Sequence, residues 1–185
     1  NRETWSKVMN PRMLSGHLQG RVLSMISKMI SPTNIIEIGT YTGYSALCMA
    51  EGLKKGGELH TLEVNEEYIS LAKKYFNKSK YKEEIIQHTG EAANIIPRLD
   101  KKFQLAFIDA DKENYYKYFK LIFEKMEIGG YIIADNVLWS GKVIAKDKDK
   151  ETISLDEYNK KVLSDKRVET ILLPIRDGLN INRKI

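Results

Sequence analysis

The residues best placed for chemistry follow two apolar runs, in Phe107-Ile108-Asp109-Ala110-Asp111-Lys112 and Ala134-Asp135-Asn136. If both runs are strands of one sheet, their ends bring two carboxylates and an amide together with no His or Cys beside them. An all-oxygen donor set of that kind suits a hard divalent cation, Mg²⁺ first, with Ca²⁺ and Mn²⁺ as alternatives. A plainer role for Asp109 and Asp135 is to cap the helices that follow. The presence of Asn136 and Lys112 alongside them weighs against it.

A second group lies earlier, in Glu37 to Ser45, EIGTYTGYS. Gly39 and Gly43 allow a tight turn and a close backbone approach to a ligand. Their G-x-x-x-G spacing is not the G-x-G-x-x-G of dinucleotide binders, and no Gly-Lys-Ser/Thr follows as in a phosphate-binding loop. A nucleoside with an amino-acid tail suits the loop better than a phosphate chain does. Glu63, 24 residues beyond Gly39, ends another apolar run, where a carboxylate can accept hydrogen bonds from ribose hydroxyls. Thr89-Gly90-Glu91-Ala92 ends a third, at a helix start that could flank an adenine.

The elements that must position these groups alternate along the chain. A basic amphipathic helix over roughly Leu14 to Ile30 stops at Ser31-Pro32, and NIIEI then reads as a buried strand. A helix over Tyr44 to Leu53 ends at Lys54-Lys55-Gly56-Gly57. ELHTLEV is the next strand, and Asn65 caps a helix through Phe76 with two acids in its first turn. EEIIQHT, QLAFIDA and YIIADN read as further strands, separated by helices over Glu91 to Leu99 and Asn114 to Met126. Short apolar strands joined through helices predict a parallel sheet with helices on both faces. After a helix over SLDEYNKKVLSD, the strands VETILLPI and LNINRKI flank Arg176-Asp177-Gly178, an antiparallel hairpin.

With 185 residues, 42% hydrophobic and 30% charged, the chain has the composition of a single soluble domain. No apolar run is long enough for a membrane span. The opening NRETWSK is polar, without a signal-peptide core and without an initiator Met, so further residues are expected upstream. One cysteine, Cys48, excludes an intramolecular disulfide and a multi-cysteine zinc site, and a reducing cytoplasm is the expected location. The net charge of +5 is spread over short lysine runs with acids nearby, the pattern of a solvated surface rather than of a nucleic-acid footprint.

EIGTYTGYSAL, FIDADKENY and ADNVLWSG together resemble the cation-dependent O-methyltransferase family that includes catechol and caffeoyl-CoA O-methyltransferases. The likeness runs from MLSGHLQGRVL at Met13 to the final DGLNI. It implies a Rossmann-like class I methyltransferase, with a mostly parallel seven-stranded sheet, helices on both faces and a C-terminal antiparallel hairpin. One domain would span 1–185, its first 30 residues a helical segment covering the cofactor and acceptor site. The cofactor would be S-adenosylmethionine, with Glu37, Gly39 and Ser45 at its methionine end and Glu63 on the ribose. Glu91 and Ala92 would flank the adenine, and Met13 would approach from the N-terminal side. Asp109, Asp135 and Asn136 match the metal ligands, Asp109 also lying near the cofactor, and Lys112 matches the general base. Trp139 falls where an aromatic would face the substrate, although packing alone explains it equally well.

The reaction implied is methyl transfer to a hydroxyl of a small catechol-type phenol. The metal would acidify and orient that hydroxyl, and a lysine takes its proton where burial and a nearby cation favour the neutral amine. A tRNA hydroxyuridine O-methyltransferase is the alternative, because bacterial relatives of this family modify tRNA and the chain is basic. A cofactor-binding protein without catalysis is a third reading, which the full set of Asp109, Lys112, Asp135 and Asn136 opposes. A homodimer is expected. The lysine-rich stretch from Ser140 to Ser154 is expected to overhang the acceptor and matches no defined recognition pattern.

Overall fold

The computed structural model describes residues 2–185, which divide into two compact units between Ile95 and Ile96. The first unit holds the helices α1 (Arg2–Lys7), α2 (Gly16–Ile30), α3 (Tyr44–Ala50), α4 (Glu66–Phe76) and α5 (Ala92–Ile95). Its strands β1 (Asn34–Ile38), β2 (Glu58–Glu63) and β3 (Ile85–Thr89) are parallel, in the order β3-β2-β1. The second unit holds α6 (Tyr115–Lys125) and α7 (Lys150–Ser164) with β4 (Phe103–Ile108), β5 (Met126–Ala134), β6 (Val168–Leu173) and β7 (Leu179–Lys184). Its strand order is β4-β5-β7-β6, with β4 and β5 parallel and β7 antiparallel to both of its neighbours. Of the strands, only β7 is reversed within its unit, as the short Asp-Gly turn before it predicts.

Strands β1, β2 and β4 are buried almost throughout, as strands covered on both faces are. Ile35, Ile36, Leu59, Met49 and Leu23 form the centre of the first core, and Phe103, Phe107, Phe119 and Tyr158 that of the second. Helix α2 packs closely on α3 and on the turn that follows it, where glycines allow the approach. A Cβ on Gly52 would stand 2.3 Å from the Ser27 backbone carbon, and Ser27 Oγ donates to the Met49 carbonyl at 2.6 Å. Arg21, Ser24 and Lys28 of α2 all bind the Glu51 carboxylate just past the end of α3.

Asn65 does cap α4, accepting from the Glu67 amide at 2.9 Å. Several boundaries differ from the sequence reading. Helix α1 falls within the first 30 residues expected to be a helical segment, although only six residues with little apolar periodicity leave its bounds unreadable in the sequence. The helix expected over Glu91 to Leu99 is α-helical only through Ile95, then tightens to a 3₁₀ turn over Ile96–Arg98. Pro97, lacking an N–H, cannot continue an α-helical ladder. Strand β5 starts at Met126, so Gly129 and Gly130 lie inside it, beside a register irregularity between Phe103 and Leu105. Helix α7 starts at Lys150, capped by Asp149, whose carboxylate accepts from the Thr152 amide at 2.8 Å. The lysine-rich stretch is thus largely a broken 3₁₀ segment over Trp139–Ile144 and the first turn of α7.

Candidate active site

In the first unit the loop after β1 is built around two carboxylates. Glu37 is fully buried, with Oε1 accepting from Ser45 Oγ and Oε2 from Thr61 Oγ1, both at 2.5 Å. A buried carboxylate is tolerated only when its oxygens are so satisfied, and here it ties β1, β2 and the start of α3 together. Glu63, at the end of β2, accepts from the Val64 and Asn65 amides through Oε1, each at 3.0 Å. Its Oε2 accepts from the Tyr41 amide at 2.8 Å, which leaves lone pairs for a ligand's hydroxyls. Gly43 has φ +81°, and a Cβ there would stand 2.6 Å from Phe76 Cε1, so both conformation and packing require glycine.

Gly39 also has positive φ, and its amide donates to the Leu62 carbonyl at 3.0 Å. The Gly90 amide donates to the Glu63 carbonyl at 2.8 Å, so the turn bearing Glu91 and Ala92 starts beside the Glu63 strand end. Ala92 is buried and Glu91 exposed. Met13 is exposed at the end of a 3₁₀ turn, Pro11–Met13. That N-terminal segment rests on the loop. Tyr41 Oη donates to the Asn10 carbonyl at 2.9 Å, and the Thr4 hydroxyl donates to Thr42 Oγ1 at 3.1 Å. Tyr41 and Thr42 belong to the loop singled out in the sequence, but neither they nor Thr4 carried a signal of their own.

In the second unit the ends of β4 and β5 are joined by the Asp135 amide, which donates to the Ile108 carbonyl at 3.0 Å. Lys112 is 7% exposed, and its Nζ donates to Asp109 Oδ1 and Asn136 Oδ1, both at 3.1 Å. A carboxylate oxygen and an amide oxygen therefore converge on one nitrogen. Asp135 is buried beside them, with Oδ1 accepting from the Asn136 amide at 2.7 Å. This oxygen-only set, buried at Asp135 and half-buried at Asp109 and Asn136, fits a hard divalent cation. Among the described residues no group of three His, Cys, Asp or Glu is arranged for a metal, so the amide of Asn136 is an essential part of that reading. Asp111 is used otherwise, accepting from Tyr118 Oη and Asn114 Nδ2, each at 2.5 Å.

Tyr115 is the residue that the sequence reading missed. Its hydroxyl accepts from Lys112 Nζ at 2.6 Å and donates to the Asp135 carbonyl at 3.0 Å. Burial first, then the Asp109 and Asp135 charges, push its phenol pKa well above the ordinary value, so it keeps its proton. Trp139 also faces Lys112, its ring centroid 5.7 Å from Nζ. Its indole Nε1 is buried without a hydrogen-bond partner, and its φ is +48°. The loop carrying Trp139 is clamped by the turn before β7. The Leu138 amide donates to the Asp177 carbonyl at 2.9 Å and the Ser140 amide to Asp177 Oδ1 at 2.6 Å.

A family model described as O-methyltransferase matches residues 1–185. The chain belongs to that family. It is 36% identical over 180 residues to a caffeoyl-CoA O-methyltransferase of Mesembryanthemum crystallinum, covering 90% of this chain and 71% of that protein. Among solved structures it is similar to the S-adenosylhomocysteine-bound methyltransferase PaMTH1 of Podospora anserina. That match has a TM-score of 0.90 and 29% identity over 100% of this chain and 85% of the other. The O-methyltransferase TomG of Streptomyces achromogenes, solved with S-adenosylmethionine, matches with a TM-score of 0.88 and 25% identity, over 98% and 89% of the two chains. The protein is therefore an S-adenosylmethionine-dependent O-methyltransferase with the Rossmann-like class I fold. Among the described residues no helix is long and apolar enough to cross a membrane.

Proposed function

We propose that this O-methyltransferase methylates one hydroxyl of a small vicinal diphenol, using a divalent cation held by Asp109, Asp135 and Asn136. The observation that carries the reading is the convergence of Asp109 Oδ1 and Asn136 Oδ1 on one point, the buried Lys112 Nζ. When bound, the cation supplies Lewis acidity, lowering the pKa of a coordinated hydroxyl and orienting the ring. S-adenosylmethionine supplies an electrophilic methyl group, whose S–C bond breaks as the new O–C bond forms, leaving S-adenosylhomocysteine. Lys112 Nζ takes the hydroxyl proton as general base. Glu63 holds the ribose diol, and Glu91 and Ala92 flank the adenine. Glu37, Gly39 and Ser45 shape the methionine end, Met13 contacts the cofactor from the N-terminal side, and Asp109 lies near it.

The caffeoyl group named in the relatives is itself a vicinal diphenol, which favours a phenolic acceptor over a tRNA. The buried, unpaired indole N–H of Trp139, close to Lys112, supports its facing that acceptor. The family match runs across both units, which supports one catalytic domain with residues 1–30 as its cover. The contacts of Thr4 and Asn10 with the cofactor loop support the same reading. Homodimerisation is supported by α2, where Leu18, Met25 and Met29 are exposed and Val22 half-buried on one stripe, while its buried face is mostly small or polar.

The test is a methylation assay with labelled cofactor and Mg²⁺ on a catechol panel and on cellular tRNA lacking the modification. Catechol turnover should vanish with excess EDTA and in Asp135→Ala, while calorimetric cofactor binding largely survives. Undiminished methylation in EDTA overturns the metal-dependent reading, and methylation of tRNA alone overturns the acceptor.

A further inference from the structure

Between Asn136 and Gly141 four residues hold positive φ: Asn136 at +58°, Trp139 at +48°, Ser140 at +55° and Gly141 at +80°. Side chains disfavour this region, so such a run persists only where its surroundings over-determine it. Its first part is held through Val137. That carbonyl accepts from Asn159 Nδ2 of α7 at 2.8 Å, and the Val137 amide donates to the Gly178 carbonyl at 3.3 Å. Its second part is held by Asp177, in the turn between β6 and β7. The Leu138 amide donates to the Asp177 carbonyl at 2.9 Å, and the Ser140 amide donates to Asp177 Oδ1 at 2.6 Å. The residues on either side of Trp139 are therefore both bound to one residue, 37 positions beyond Ser140. The turn also fits closely against the loop, since a Cβ on Gly178 would stand 2.6 Å from Leu138 Cγ.

We propose that Asp177 is a positioning residue that sets acceptor specificity, its carboxylate fixing the orientation in which the Trp139 indole meets the acceptor. This deepens the proposed function and rests on Trp139 facing that acceptor. A side chain leaves the backbone in a direction set by the peptide units on either side, so holding both neighbours fixes where the indole starts. The Leu138 bond runs from main chain to main chain and survives a change of side chain at position 177. The Ser140 bond needs a side-chain oxygen there, and an N–H bound to a carboxylate is the stronger kind. Without it, Ser140 and Gly141 relax towards ordinary φ, and the indole swings away from Lys112, whose Nζ lies 5.7 Å from its ring centroid. Val137 keeps its own anchors, so Asn136 stays in place.

The test uses the full chain and has two arms. Trp5 and Trp139 are the two tryptophans, so in a Trp5→Phe background the fluorescence is that of Trp139 alone. There Asp177→Ala should shift the emission to the red and raise acrylamide quenching about twofold, with no acceptor present. The second arm is kinetic, with cofactor, Mg²⁺ and caffeate, whose two hydroxyls give distinguishable products. Asp177→Ala should raise the KM for caffeate about fivefold and change the product ratio about threefold, with the calorimetric Kd for S-adenosylhomocysteine altered less than about twofold. Asp177→Asn keeps an oxygen for the Ser140 amide and should restore every readout to within about twofold of the parent. In Trp139→Ala, adding Asp177→Ala should cost nothing more, because the carboxylate acts through the indole. Asp177→Asn as impaired as Asp177→Ala overturns the proposal, since the charge itself is then what matters. An Asp177→Ala loss of equal size with and without Trp139 overturns it as well, and so does unchanged Trp139 fluorescence. Trp139→Ala with unaltered KM and product ratio overturns the substrate-facing reading and the specificity claim together. The fluorescence arm tells that failure apart from a failure of Asp177 to hold the indole.

Discussion

Glu63 Oε2, at the end of β2, accepts a hydrogen bond from the Tyr41 amide at 2.8 Å, which fixes the loop after β1 to the neighbouring strand end. The carboxylate is thereby aimed by three backbone N–H groups, those of Tyr41, Val64 and Asn65. In Glu63→Gln one of these amides must face an NH₂ group instead of an oxygen. Cofactor Kd should rise about tenfold or more, roughly 1.4 kcal/mol, with little change in the acceptor's KM at saturating cofactor. Calorimetric titration with S-adenosylhomocysteine checks this, and an unchanged Kd would remove Glu63 from the ribose role.

Gly43→Ala should weaken both the loop and the fold. The new Cβ meets the Phe76 ring at 2.6 Å, at a backbone φ of +81° that side chains rarely adopt. A loss of about 2 kcal/mol is expected from strain of this kind. Denaturant unfolding measures it, and a partial recovery in Gly43→Ala/Phe76→Leu would separate the collision from the backbone cost.

Trp139→Phe keeps an aromatic ring beside Lys112 and deletes the unpaired indole N–H. If that N–H meets the acceptor, the acceptor's KM should rise severalfold while cofactor Kd stays constant. Trp139→Ala should lower kcat/KM by roughly a hundredfold, in line with losing a buried aromatic contact. Steady-state kinetics against two catechols reads both effects.

Glu51 ties α2 to α3, and Arg21 foremost, then Lys28 and Ser24, hold its carboxyl down from 4.5 to about 2, against burial, which acts the other way. A carboxyl depressed by folding stabilises the protein fully above its unfolded pKa, and that contribution is lost as pH falls from about 4.5 towards 2. Glu51→Gln should therefore cost about 1–2 kcal/mol at pH 7, less than the pKa change alone suggests because solvent screens the pair. Urea melts at pH 7 and near pH 3 should show the gap narrowing at the lower value. A gap independent of pH would assign Glu51 a purely steric role.

Much of this architecture was legible because burial leaves a periodic trace. Apolar runs such as Asn34–Ile38 and Phe103–Ile108 read directly as strands, and the residues just past them, Gly39 and Asp109, lie at the strand ends to which open parallel sheets direct ligands. Asn65 was legible as a cap because capping depends on a residue type at one local position. Asp149 obeys the same rule, yet the charged run from Lys146 to Lys150 hid it. The strand read as starting at Tyr131 begins at Met126 in the structure, because Met126 already pairs with Phe103 of β4 ahead of the register shift.

By itself the sequence determined the order of elements, the donor types at each strand end and the glycines the cofactor loop requires, since these depend on neighbours in the chain. Only the tertiary structure decided which hydroxyls complete the site. Thr61 satisfies Glu37 across 24 residues, and Asp135 takes the Tyr115 hydrogen across 20. Such pairings leave no periodicity, because a hydrogen bond needs distance and direction in space and nothing of separation along the chain.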